Sequence, residues 1–156
     1  MSAEKTLASW DFPSPHVVTL EVAPADIDAY NHVNNSVYLA WLDRAAWSHS
    51  AVLGISLDEC VQGLRRGMAA HRTEIDYLRA AVSGDRVLVA TWIVDTDSKL
   101  RVQRRFQVRR ADDGTTLARA RIDYVCINLD TGRAARMPEN FQRAYVVTIP
   151  AGTDLG

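Results

Sequence analysis

The stretch Asp26-Ile-Asp-Ala-Tyr-Asn-His-Val-Asn-Asn35 holds two carboxylates, a tyrosine, a histidine and three asparagines. It runs directly into an apolar segment that reads as a helix. A helix N-terminus offers unpaired N–H groups and the positive end of the peptide dipole. Such donors stabilise an oxyanion developing on a carbonyl. A carboxylate a few residues upstream can then act as nucleophile, or as general base toward water. The same residue types also suit a purely structural loop, because Asn and Asp are good turn and cap residues. On that reading Asp26 and Asp28 order the loop, Asn34 or Asn35 caps the helix, and His32 bonds within it. Spacing alone leaves both readings open.

Other polar residues carry less. Asp26 reads as loop structure, an acceptor for a backbone N–H. Two carboxylates and one histidine fall short of a metal-ligand set, so no metal is expected. His49 and His71 are assigned to a helix and a strand without chemistry, and His16 to an N-terminal tail. Trp41, Trp47 and Trp92 are read as core first and pocket lining second.

These candidates need elements to hold them. Two prolines within Asp11-Phe-Pro-Ser-Pro15 stop regular structure, so residues 1–15 read as a tail lying over the surface. A strand rich in β-branched residues begins at Val17 and is interrupted at Pro24. From Asn34 to about Leu53 there is no Gly or Pro, and Gly54 is a natural stop, so a long helix is expected. Asn34, Asn35 and Ser36 all suit its N-cap. Its apolar residues spread over most faces, which predicts a buried helix. Ser56-Leu-Asp-Glu59 has capping-box spacing and should start a short second helix ending at Gly67. Periodicity then changes to two. Strands are expected at 70–79, 86–94, 100–110 and 117–128, with Asp112-Asp-Gly114 as a hairpin turn. In the third of these, Leu100, Val102, Phe106 and Val108 share one face, and Arg101, Gln103, Arg105, Gln107 and Arg109 the other. That alternation predicts one packed face and one wet face, with Arg104 turned toward the packed side. Arg104 is expected to reach across a dimer interface or to pair with a carboxylate. Residues 138–145 form a last helical turn or an irregular finish. The class is α+β, one helix packed on a curled antiparallel sheet.

The chain has 156 residues, 47% hydrophobic and 24% charged, as expected of one globular domain. The net charge of −1 argues against a nucleic-acid binder. No apolar run is long enough for a membrane span. MSAEKTLASW lacks the pattern of a signal peptide, so a cytoplasmic location is expected. Cys60 and Cys126 fit buried, reduced side chains better than a disulfide.

The segment VAPADIDAYNHVNNSVYLAWLD resembles the signature of hotdog-fold acyl-CoA thioesterases of the 4-hydroxybenzoyl-CoA thioesterase family. EIDYLRAAVSGDRVLV is similar to that family's second strand, turn and third strand. LDTGRAARMPENF is similar to its last hairpin and C-terminal finish. The likeness covers about residues 16–145, and places one domain at 16–148 with a C-terminal tail at 149–156. It implies a long helix wrapped by the sheet, homodimers or homotetramers with active sites at the dimer interface, and acyl-CoA or acyl-carrier thioesters as substrates. No cofactor is implied.

Residue by residue, Asp28 matches the family's catalytic carboxylate, as nucleophile or as general base. The backbone N–H of Asn35 matches the group that polarises the thioester carbonyl. His32 matches the HVNN histidine. Tyr30, Asn34, Tyr38, Arg104 and Arg105 become candidates for substrate binding. The run Lys99–Arg105 could meet CoA phosphates or form a solvated face, and Arg133 and Arg136 are weaker candidates of that kind. The sequence also departs from the pattern. Tyr30 stands where plant acyl-carrier thioesterases place an asparagine, and Asp43 stands where the helix commonly carries Glu. Asn31 replaces a usual glycine, and an asparagine can occupy a left-handed position there. Hotdog hydratases resemble D-x-N-P-x-H, with five residues from acid to histidine; Asp28 and His32 are four apart with no Asn-Pro between them. A non-enzymatic acyl-CoA-binding domain is the other alternative.

Overall fold

The computed structural model describes residues 10–156. The first nine residues of the expected tail lie outside the described residues. β1 (His16–Glu21) leads through a 3-10 turn at Pro24–Asp26 to the long helix α1 (Asn35–Val52). A short π-helical segment, Glu59–Leu64, follows. Then come β2 (Arg66–Tyr77), β3 (Arg86–Thr96), β4 (Arg101–Arg110), β5 (Thr116–Asn128) and a terminal helix α2 (Glu139–Ala144). The strands form one antiparallel sheet in the order β1-β3-β4-β5-β2. Register shifts at Ala70/Arg72, Ile93/Asp95 and Val108/Arg109 bend the strands so that the sheet curls around α1. This is the expected α+β hotdog arrangement. No described helix is long and apolar enough to cross a membrane.

Local chemistry explains the helix limits. Asn34 caps α1, its Oδ1 accepting the Ser36 N–H at 3.0 Å. The helix stops before Gly54, which takes φ +91°. The principal core lies between α1 and the sheet: Tyr38, Trp41, Leu42 and Ala45 meet Val87, Val89, Phe106, Val108, Ala120 and Ile122. A second cluster under the far end of α1 joins Ile55, Cys60, Ile93, Val102, Cys126, Met137 and Phe141. Cys60 and Cys126 are buried free thiols, and burial pushes the Cys126 thiol up to about 11.

Several expectations need correction. α1 is not buried on all sides. It lies on the sheet, leaving Leu39, Trp47 and Val52 exposed; Trp47 therefore lies outside the core. The second helix does not reach Gly67. Ser56 Oγ accepts the Glu59 N–H as expected, but the segment ends where Arg65 turns left-handed at φ +52°. β2 then begins at Arg66 rather than Ala70, and ends at Tyr77 rather than Arg79. His16 belongs to β1, not to the tail.

The expected wet face of β4 is covered at one end: Arg101 stays exposed and Gln103 and Arg105 half-buried. Gln107 and Arg109 are buried, because the N-terminal segment lies over them. The Asp11 N–H donates to Gln107 Oε1 at 2.9 Å, and the Trp10 ring stands 4.8 Å from Arg109 Cζ. Arg119 clasps the Asp11 carboxylate with Nε at 2.7 Å and Nη2 at 2.9 Å. On this outer face Trp10 and Phe12 from one end of the chain, and Ile149 and Leu155 from the other, pack on Ala90, Trp92 and Val94.

Candidate functional site

The loop between β1 and α1 is tied by its own polar groups. Asp26 Oδ2 accepts the Ala23 N–H at 2.8 Å, the loop role expected of it. The Asn34 N–H donates to the Asp26 carbonyl, and Ile27 and Val33 form an isolated antiparallel bridge. Inside that bridge the Asp28 N–H donates to the His32 carbonyl, and the Asn31 N–H to the Asp28 carbonyl. Asp28 Oδ1 accepts the N–H groups of Tyr30 (2.8 Å) and His32 (3.3 Å). All side-chain bonds of Asp28 thus fall on Oδ1, leaving Oδ2 without a partner among the described residues. Asn31 closes the turn at φ +64°, the left-handed position its side chain tolerates. A β-branched residue there is strained by roughly 1–2 kcal/mol. Asn31→Val is therefore expected to lower the unfolding free energy by about that amount and to reduce turnover. Asn31→Gly is expected to leave both near the parent values. Denaturant melts and steady-state kinetics check the pair.

Asp28, Tyr30, His32 and Asn35 line one open cleft of about 300 Å³ with Tyr38, Tyr77, Leu78 and Arg79. The sequence did not point to the last three. They enter because the end of β2 passes the start of α1, where Tyr77 Oη donates to the Asn35 carbonyl at 3.1 Å. Tyr38 is buried, and its Oη accepts the Ala81 N–H at 3.0 Å. Its ring packs edge-on against Tyr77. Burial pushes the Tyr38 hydroxyl above its usual range. Tyr30 is 83% exposed at the cleft mouth. The Asn35 N–H opens α1 and has no acceptor within the helix. The cleft therefore joins an unpartnered carboxylate oxygen to the donor end of a helix. That pair is the minimum needed to attack a carbonyl and stabilise the resulting oxyanion. The Asn34 side chain is committed to the cap, also accepting from Ser36 Oγ at 2.9 Å.

The two arginines lie elsewhere. Arg105 is on the outer face of the sheet, its guanidinium 3.4 Å from Gln103 Oε1 and 3.5 Å from the Leu155 carbonyl. Arg104 is buried beneath the other end of α1, with Nη1 2.8 Å from His49 Nδ1. It pairs with no carboxylate of the described residues. The imidazole of His49 stacks on that of His16, which lies 2.8 Å from Ser48 Oγ through Nε2. Burial, reinforced by Arg104 and His16, lowers the His49 pKa from 6.5 to about 4. Between these values the unfolded chain binds more protons than the folded one, so acid favours unfolding. Stability is expected to fall as pH drops from about 6.5 toward 4. His49→Gln keeps an acceptor for Arg104 and is expected to flatten that fall. Thermal melts of both proteins across this range check it.

A family model described as thioesterase-like superfamily matches residues 22–145. The chain is 28% identical over 122 residues to the long-chain acyl-CoA thioesterase FadM of Escherichia coli, covering 74% of this chain and 85% of that one. Among solved structures, a 1,4-dihydroxy-2-naphthoyl-CoA thioesterase of Synechocystis is 25% identical, with TM-score 0.77 over 85% of this chain and 96% of that chain. A hypothetical protein of Staphylococcus aureus solved in complex with CoA shares the fold at 23% identity and TM-score 0.77, over 95% and 98% of the two chains.

Proposed function

The chain belongs to the thioesterase-like superfamily, and from that premise we propose that it hydrolyses acyl-CoA thioesters to a carboxylic acid and free CoA. The observation that carries the reading is that Asp28, whose Oδ2 has no partner among the described residues, lines the same cleft as Asn35, the first residue of α1. The thioester carbonyl oxygen sits against the Asn35 N–H, which takes up the negative charge of the tetrahedral intermediate. Asp28 then acts in one of two ways. It attacks the carbonyl carbon, the C–S bond breaks, and water hydrolyses the resulting anhydride. Alternatively it removes a proton from a water that attacks directly. Either route yields the acid and the thiol of free CoA, the proton released by the attacking water passing to the departing sulfur; His32, on the same cleft, relays it. Tyr30, Tyr38 and Tyr77 form the walls against the thioester.

The acyl group follows from the relatives only in part. One acts on long-chain acyl-CoA and another on an aryl-CoA, and an acyl-carrier thioester would present the same reacting bond. Among the described residues β2 has one edge bonded to β5 and no strand on the other. A twelve-residue edge strand of this kind invites pairing. A second copy joining there through its own β2 gives a dimer and walls the cleft from the partner side. We infer a cytoplasmic location, a reducing compartment that suits the free cysteines Cys60 and Cys126.

The test is thiol release from a panel of short, long and aromatic acyl-CoAs. Release from at least one class is expected, and the profile reports the pocket. Recovery of every acyl-CoA intact, with binding retained, would move the protein to the non-enzymatic acyl-CoA-binding reading.

A further inference from the structure

Arg104 projects from β4 toward α1 and is 3% exposed. Its Nη1 lies 2.8 Å from His49 Nδ1 and 3.4 Å from Thr91 Oγ1, and its Nη2 3.5 Å from Ser50 Oγ. The Tyr145 ring centroid stands 6.0 Å from its Cζ. Every one of these partners is neutral at pH 7, His49 included, because burial holds its pKa near 4. No carboxylate of the described residues lies within 4.0 Å of the guanidinium. A buried cation without an anion is strongly unfavourable, and a guanidinium is built to hold two carboxylate oxygens at once.

This guanidinium forms part of the wall of a cavity of about 60 Å³, where one water needs roughly 10–15 Å³. The remaining wall is mostly hydrocarbon: Ala46, Ile55, Met68, Val102 and Phe141. Trp47 and Asp43, both exposed, stand on its rim. Ser50 and Arg104 sit about 22 Å along the helix axis from Asn35, so this cavity is separate from the cleft at Asp28.

We propose that the cavity binds a small apolar carboxylic acid, its carboxylate paired with Arg104 and its hydrocarbon part against Ala46, Ile55, Met68, Val102 and Phe141. Asp43 at the rim repels the same charge, so the carboxylate must lie deep and the apolar part toward the mouth. The test is calorimetric titration of the full-length protein with butanoate, hexanoate and benzoate, each set against its primary amide. Saturable binding of an acid is expected, at least tenfold tighter than its amide. Arg104→Gln should weaken it at least tenfold, Asp43→Asn should tighten it, and Ala46→Phe, which fills the cavity, should abolish it. Equal binding of acid and amide, or no saturation by any acid, overturns the proposal. So does acid binding that survives Ala46→Phe. The acid–amide comparison on the parent protein decides the matter even where Arg104→Gln fails to fold.

Discussion

Asp28→Asn is expected to lower kcat for thioester hydrolysis by at least about a hundredfold while the protein stays folded. A positioned general base contributes roughly 10²–10⁴ in rate, and a nucleophile that forms a covalent intermediate is no less necessary. The substitution is well controlled by the loop geometry. Asparagine keeps an Oδ1, so the bonds from the Tyr30 and His32 N–H groups persist. What it removes is the negative charge and basicity on the second oxygen. KM should change little, because the Asn35 N–H and the tyrosine walls remain. Thiol release gives the kinetic constants, and a thermal melt within a few degrees of the parent shows the fold intact. A folded Asp28→Asn protein with parental turnover would remove Asp28 from the mechanism.

Trp92→Ala carries the largest expected cost to stability, about 3–5 kcal/mol as for other buried aromatic truncations. Trp92 is 1% exposed, although it lies on the side of the sheet away from α1. Phe12 packs edge-on against its ring at 5.2 Å and Trp10 at 6.3 Å. Its Nε1 donates to the Pro13 carbonyl at 3.0 Å. Removing the ring opens a cavity and releases the strap that covers Gln107 and Arg109. The loss is a large share of the roughly 5–15 kcal/mol that holds an ordinary domain together. Urea unfolding measures it, and faster proteolysis near residues 10–15 reports release of the strap. A loss below about 1 kcal/mol would mean that the strap adds little to the fold.

What was legible in the sequence is what neighbouring residues decide. Asn34 caps α1, Asn31 turns left-handed, Asp26 accepts a nearby N–H and Gly54 ends the helix, each through contacts within a few positions. Period-two patterning located the sheet for the same reason. The failures are long-range. Arg109 looked wet because nothing local reveals that Trp10 will lie on it. Arg104 was read as turned toward the packed side, but its neighbour there, His49, is 55 positions away and no local pattern names it. Trp47 looked like core because its size says nothing about which side of α1 meets the sheet. The candidate site divides along the same line. Asp28, Tyr30, His32 and Asn35 form one loop and were found together. Tyr77, Leu78 and Arg79 arrive only when the end of β2 is folded past them.

The covered outer face has a consequence for how the chain can be cut and rejoined. Both ends of the described chain rest on one patch, Trp10 and Phe12 beside Ile149 and Leu155, and Asp11 and Phe12 share a surface hollow with Asp154 and Leu155. Meanwhile the β4–β5 hairpin turn at Asp112–Gly114 lies far from the cleft residues in sequence, with Gly114 at φ +73°. A circular permutant that links the old ends and opens the chain within that turn keeps every strand pairing of the sheet. The order in which the strands leave the ribosome would change, and the sheet order they reach would not.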